Sequence, residues 1–270
     1  MKTTIYKCFE IIVVVIVICL LNSSCSSNYV ASENLEITGF EDKLADNRQL
    51  CYADEDCMIL TGGTRNGAAT GSMIDTDYII IYDPTDAAIK EELYISDKVH
   101  IYSVIPYRDG VVYSYSKLQD SKQDIWEWKI IYQNKDGKEI LDEGICSVFA
   151  LVPELILLKG KPVYLFENAV IEKGDVKTYS CGVKQISEME PDKIMETSDM
   201  RLSGMTLACN GTEYGFLAKK GLNLYCYIGD LNGIKQNFEI DGQARSFTLT
   251  EGYAGVSAES KETDREDGAY

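Results

Sequence analysis

Short β-prone segments punctuated by turn residues constrain this chain more than any other feature. Tyr78–Tyr82 (Tyr-Ile-Ile-Ile-Tyr), Val99–Ile105, Val111–Tyr115, Ile125–Tyr132, Leu155–Leu158, Val163–Phe166, Leu222–Ile228 and Phe247–Thr250 are rich in β-branched and aromatic residues. Such residues suit the pleated, half-buried surface of a strand. Between them stand Arg108-Asp109-Gly110, Lys135-Asp136-Gly137, Asn210-Gly211, Lys220-Gly221, Asn232-Gly233 and Glu251-Gly252, which accept the left-handed backbone of tight hairpins. After Leu21 no long stretch repeats its apolar residues at the helical period of about 3.6. The sequence predicts an all-β protein.

The turns also follow a larger rhythm. One unit runs Val99–Ile105, Val111–Tyr115, Ile125–Tyr132 and Lys138–Leu141; another runs Met205–Cys209, Glu213–Ala218, Leu222–Ile228 and Ile234–Ile240. Each is four strands joined by hairpins over roughly 45 residues, the size of one propeller blade. Leu50–Tyr52, Met58–Leu60, Tyr78–Tyr82 and Glu91–Ile95 fit the same template. The rhythm resembles the β-propellers found among exported bacterial proteins, over Gln49 to the last residue. It comes without a kelch double glycine, a Trp-Asp blade ending or an aspartate box. The resemblance implies a six- to eight-bladed type of array of four-stranded antiparallel blades at roughly 49–97, 99–144, 145–198, 201–242 and 244–270, the last incomplete, about four and a half in all. The alternatives are a five-bladed ring closed by Leu35–Gly39, a β-sandwich, and a solenoid.

The N-terminus concerns address rather than fold. Lys2 and Lys7 precede an unbroken apolar run, Ile11–Leu21, and then Asn22-Ser23-Ser24-Cys25. Eleven residues rise about 16 Å as a helix, roughly half the hydrocarbon thickness of a bilayer, so the run predicts a signal peptide and not a span. Extending it leftward to spanning length would bury Lys7 and Glu10 at a cost of a few kcal/mol each. Cys25 after two serines resembles the lipobox of bacterial lipoprotein precursors, with Asn22 where that family prefers leucine. The resemblance implies that residues 1–24 are removed, that Cys25 carries lipid, that residues 25–46 form a tether, and that the body from residue 47 stands at the outer face of the cytoplasmic membrane.

Composition narrows the partners. The formal net charge is −17 at pH 7, so nucleic acid and anionic headgroups are repelled. A single histidine and the absence of a CxxC pair after Cys25 exclude the usual zinc sites. No cofactor is expected. Six cysteines follow Cys25: Cys51, Cys57, Cys146, Cys181, Cys209 and Cys226. Only Cys51 and Cys57 are spaced for a hairpin bridge; buried free thiols are the preferred reading. The acidic clusters Asp54-Glu55-Asp56, Asp75–Asp77 and Asp83–Asp86 lack the ligand spacing of a calcium loop and read as solvated turns. Gly62-Gly63 and Gly67–Gly71 are not followed by a helix or lysine, so they do not cradle phosphate. Asn210-Gly211-Thr212 is read as a turn.

The candidate binding residues follow from the blade pattern. His100 and Asp97 stand at one inter-blade junction, and Arg201 and Arg245 at two others, where loops face the mouth of a propeller. Trp126 and Trp128 share one face of a strand, with Glu127 on the other. They either stack on a sugar or peptide or pack between blades, and packing is the stronger reading. A satisfied strand-end histidine is likewise the stronger reading of His100. No catalytic residue is nominated. The expected role is a binding module for a peptide, glycan or protein partner. The competing roles are a carbohydrate-active or peptidase-associated propeller enzyme, which needs converging carboxylates or a serine triad, and a truncated, non-functional remnant.

Overall fold

The computed structural model describes residues 48–63, 75–120, 125–147, 153–172, 175–187, 190–203, 207–241, 243–250 and 253–259, all within the compact unit Ser32–Tyr270. The expected leader, Cys25, the expected tether with Leu35–Gly39, and Gly67–Gly71 lie outside them. Among the described residues there is no helix. Strands β1 (Arg48–Ala53), β2 (Met58–Gly62), β3 (Thr76–Asp83) and β4 (Ala88–Val99) form the first sheet, and β5 (Ile101–Tyr107), β6 (Gly110–Asp120), β7 (Ile125–Asn134) and β8 (Gly137–Ser147) the second. The third holds β9 (Glu154–Leu158), β10 (Lys161–Glu172), β11 (Asp175–Gln185) and β12 (Asp192–Ser198). The fourth holds β13 (Arg201–Leu202), β14 (Ala208–Cys209), β15 (Tyr214–Lys220), β16 (Asn223–Asp230) and β17 (Gly233–Ile240), and β18 (Gln243–Thr250) pairs with β19 (Tyr253–Glu259). Every pairing is antiparallel, and all but that of β13 with β15 join strands consecutive in the chain. The protein is an all-β array of propeller-like, mostly four-stranded blades.

The turns form where the sequence supplies the backbone freedom. Lys159-Gly160 joins β9 to β10 with φ of 53° and 72°, the two positive angles a type I′ hairpin needs. Side chains of Asp and Asn hold other turns. Asp54 Oδ1 accepts from the N–H groups of Asp56 and Cys57, and Asp83 Oδ1 from those of Thr85 and Asp86. Asn134 Oδ1 accepts from Asp136 and Gly137, and Asn210 Oδ1 from Thr212 and Glu213. Of the acidic clusters, those at Asp54 and Asp83 therefore hold turns through their own carboxylates.

Neither face of an inner sheet is solvated, because consecutive sheets stack and bury apolar side chains between them. Ile59, Ile79 and Leu93 of the first meet Ile101, Val111 and Tyr113 of the second. The second presents Val112, Trp128 and Ile130 to Tyr164 and Phe166 of the third. Val163, Leu165 and Val183 meet Tyr214, Phe216 and Ala218 across the next seam, and Leu217, Leu224 and Cys226 meet Phe247 and Leu249 beyond it. First strands of successive sheets lie side by side in the same direction. Ser103 Oγ on β5 accepts from Leu155 N on β9 (3.1 Å), Leu207 N donates to Glu154 (3.3 Å), and Lys159 N donates to Gly211 O (2.8 Å). The end at which β5, β9 and the fourth sheet's first strand begin is here called the upper end.

Two strand expectations change. Val99–Ile105 is not one strand: Val99 pairs with Thr76 of the first sheet and Ile101 with Tyr115 of the second. The chain steps between sheets at His100, and Ile101 N donates to Thr76 Oγ1 at 3.1 Å. Of the expected strand Met205–Cys209, Ala208–Cys209 forms the short strand β14; β13 and β14 pair with opposite ends of β15, and residues 204–206 lie outside the described residues. All six cysteines after Cys25 are free thiols, so Cys51 and Cys57 are not bridged.

Candidate functional site

At the upper end of the seam between the second and third sheets, aromatic and polar side chains gather without being fully buried. Register fixes who shares this face. Ser116, Trp128 and Gly144 lie in one row across the second sheet, and Leu118, Trp126 and Cys146 in the next row up. From the third sheet, alternation along β10 adds Asn168 and Val170 above Tyr164 and Phe166. Trp128 is wholly buried, 6.5 Å from the Phe166 ring, and its Nε1–H donates to the Glu167 carbonyl at 2.9 Å. Trp126 is only partly buried, and Leu118 and Val170 are 40% and 50% exposed.

His100 and Tyr102 complete the cluster from the link and from β5. Their rings meet edge to face at 4.6 Å. Tyr102 also hydrogen bonds the Ser116 side chain, and burial raises its phenol against the opposing effect of that bond. Gly144 leaves room for the neighbouring sheet: a Cβ there would stand 2.2 Å from Asn168 Oδ1 and 2.3 Å from the Trp128 ring. Asn168 Oδ1 is buried and has no hydrogen-bond partner.

Asp97 and Arg201 serve the seams. Asp97 is thrown out by a bulge in which Ile95–Lys98 oppose only Asp77 of β3, and it meets Lys138 of the second sheet at 2.5 Å. Arg201 lies 4.4 Å above the Tyr179 ring and 3.7 Å from Glu167 Oε1. Arg245 sits at an irregularity of β18 between Ala244 and Ser246, and its side chain lies outside the described residues. Trp128 is a correction as a ligand-facing residue, because no part of it is open and its one donor is already used. Of the candidates whose side chains are described, His100 and Trp126 join this cluster, while Asp97 and Arg201 serve other seams.

Sequence reasoning missed Glu154 and Glu167, though each adjoins an apolar run, in Pro-Glu-Leu-Ile-Leu-Leu and Tyr-Leu-Phe-Glu-Asn. Both face the fourth sheet, where Glu167 Oε2 accepts from Leu202 N (2.7 Å) and Glu154 Oε2 from Leu207 N (3.3 Å). Burial raises Glu154 to about 7 and also raises Glu167, against its bond to Leu202 and the charge of Arg201. Both bind backbone N–H groups at the break between β13 and β14, so their role is to hold that break. Burial pushes the Cys57 thiol to about 11, Cys181 to about 12 and Cys226 to about 11, which keeps all three protonated at neutral pH. Among the described residues no group of three His, Cys, Asp or Glu is placed to hold a metal.

No protein-family model and no curated protein matches this chain. Among solved structures it is similar to a protein of unknown function from Bacteroides caccae (16% identity, TM-score 0.35, 75% of this chain and 65% of that one). It is also similar to Chaetomium thermophilum Raptor (10%, 0.34, 75% and 18%) and to Saccharomyces cerevisiae Sqt1 (9%, 0.30, 75% and 76%). The chain thus spans 65% of the Bacteroides caccae protein and 18% of Raptor.

Proposed function

We propose that this chain is an exported lipoprotein, anchored through Cys25 at the outer face of the cytoplasmic membrane, whose blade array is a binding module for a peptide, glycan or protein partner. The observation that carries the binding role is the contrast along one seam. Trp128 and its neighbours pack to full burial, while Trp126, Tyr102 and His100 above them remain partly open beside the exposed Leu118 and Val170. Partly open aromatic surface on a rigid frame is what recognition sites use, since it offers large contact area at small entropic cost. The anchor rests on the residues around Cys25 alone.

Two measurements test the reading. Metabolic labelling with a palmitate analogue should mark the native chain and not Cys25→Ala; equal labelling of both defeats the anchor. Probing peptide and glycan arrays with the native chain and with Trp126→Ala should give signals that the variant loses. Signals unchanged by the variant defeat this site.

A further inference from the structure

Resting on that binding role, we propose that the upper end of the seam between the second and third sheets binds a neutral glycan. The named cluster of His100, Tyr102, Ser116, Trp126, Asn168 and Val170 contains no lysine, arginine, aspartate or glutamate. A charged ligand would find no counter-charge among them, and the acidic chain repels an anion at longer range. Rings that are partly open accept the C–H faces of a sugar, while the Ser116 and Tyr102 hydroxyls and the Asn168 amide match its hydroxyls. Asn168 Oδ1 is an acceptor with no donor in the structure. Leaving such a group unmade costs free energy; the atom is shut in against Gly144, so a sugar hydroxyl becomes its donor through an outward turn of the Asn168 amide or through one bridging water.

Trp126 stands on β7, which is paired on both sides, whereas Ser116 on β6 and Asn168 on β10 lie beyond the ends of the ladders with β5 and β9 and pair only with β7 and β11. An extended peptide that adds to one of these edges is therefore the competing occupant, and the peptide arm of the test below separates it from a glycan.

The test uses the detergent-solubilised full chain in native gels containing laminarin, galactomannan, arabinoxylan or dextran, together with acrylamide quenching of tryptophan fluorescence. The chain has two tryptophans, both on β7, and the second is wholly buried, so quenching reads Trp126. At least one glycan should retard the chain and protect Trp126. Trp126→Ala should weaken retardation about tenfold, the worth of one aromatic contact, while Trp126→Phe should keep most of it. Val170→Asp, at an exposed rim position where folding is not at stake, should also weaken it. Retardation of Trp126→Ala and Val170→Asp equal to that of the native chain overturns the site but leaves a binding role elsewhere standing. Protection of Trp126 by a tryptic digest of casein and by none of the glycans overturns the ligand class and keeps the surface. No retardation and no protection by any of these probes overturns the proposal.

Discussion

Glu167 shows how much one side chain can do in a stacked-sheet protein. Its carbonyl accepts the indole of Trp128 from the second sheet, while its carboxylate, on a residue 3% exposed, takes Leu202 N from the fourth. Glu167→Gln keeps an acceptor for that N–H, whereas Glu167→Leu leaves it unpaired, so Leu should cost about 1–3 kcal/mol more than Gln in urea unfolding. Glu154 gives a pH test. A glutamate of ordinary pKa near 4.3, raised to about 7 in the fold, means that the folded state holds the proton more tightly. Its ionisation therefore lowers stability as pH rises from about 4.3 to about 7, and the loss is complete above that. Glu154→Gln should stabilise the protein at pH 8 by on the order of 1–3 kcal/mol and change little at pH 4. An unchanged pH slope in the variant would remove this account. Gly144→Ala should cost about 1–3 kcal/mol by overpacking Asn168 and Trp128, measured by the same unfolding curves.

At the scale of elements, strand identity was legible because period-two patterning and turn residues are local. Depth was not. Alternation placed Trp126 and Trp128 on one face correctly, yet which of the two lies deep and which lies at the open end depends on how far the third sheet reaches along β7. The split first strand of the fourth sheet was illegible for the same reason. Met205–Cys209 has strand character in isolation, but the break is bracketed by Glu167 and Glu154, which come from another sheet. The turns were the most readable parts, since Asp83, Asn134 and Asn210 each bond N–H groups two and three residues on. Gly160, with φ of 72°, should tolerate alanine at a cost of about 1–2 kcal/mol, visible as a lowered unfolding midpoint. Of the candidate site, His100 and Trp126 could be named from junction position and residue type. Asn168 and Val170 could not, because nothing in their own strand shows what faces them.

For the whole molecule, the stacking explains why a chain with six cysteines after Cys25 leaves them as thiols: Cys146, Cys181 and Cys226 are buried, each within a different seam. A thiol reagent should modify Cys51, Cys57 and Cys209 before these three in the native protein, and all six at one rate in denaturant. Equal rates in the native state would contradict the packing. Four-stranded units with apolar faces on both sides also mean that stability is shared between neighbours and not drawn from one central core. A sheet joined to the next by side chains and a few short backbone bonds is a weak coupling, whereas the hairpins inside it are long. Stretched between surface and cantilever, such a protein should give way in discrete tears, each releasing roughly 45 residues and lengthening the tether by about 150 Å.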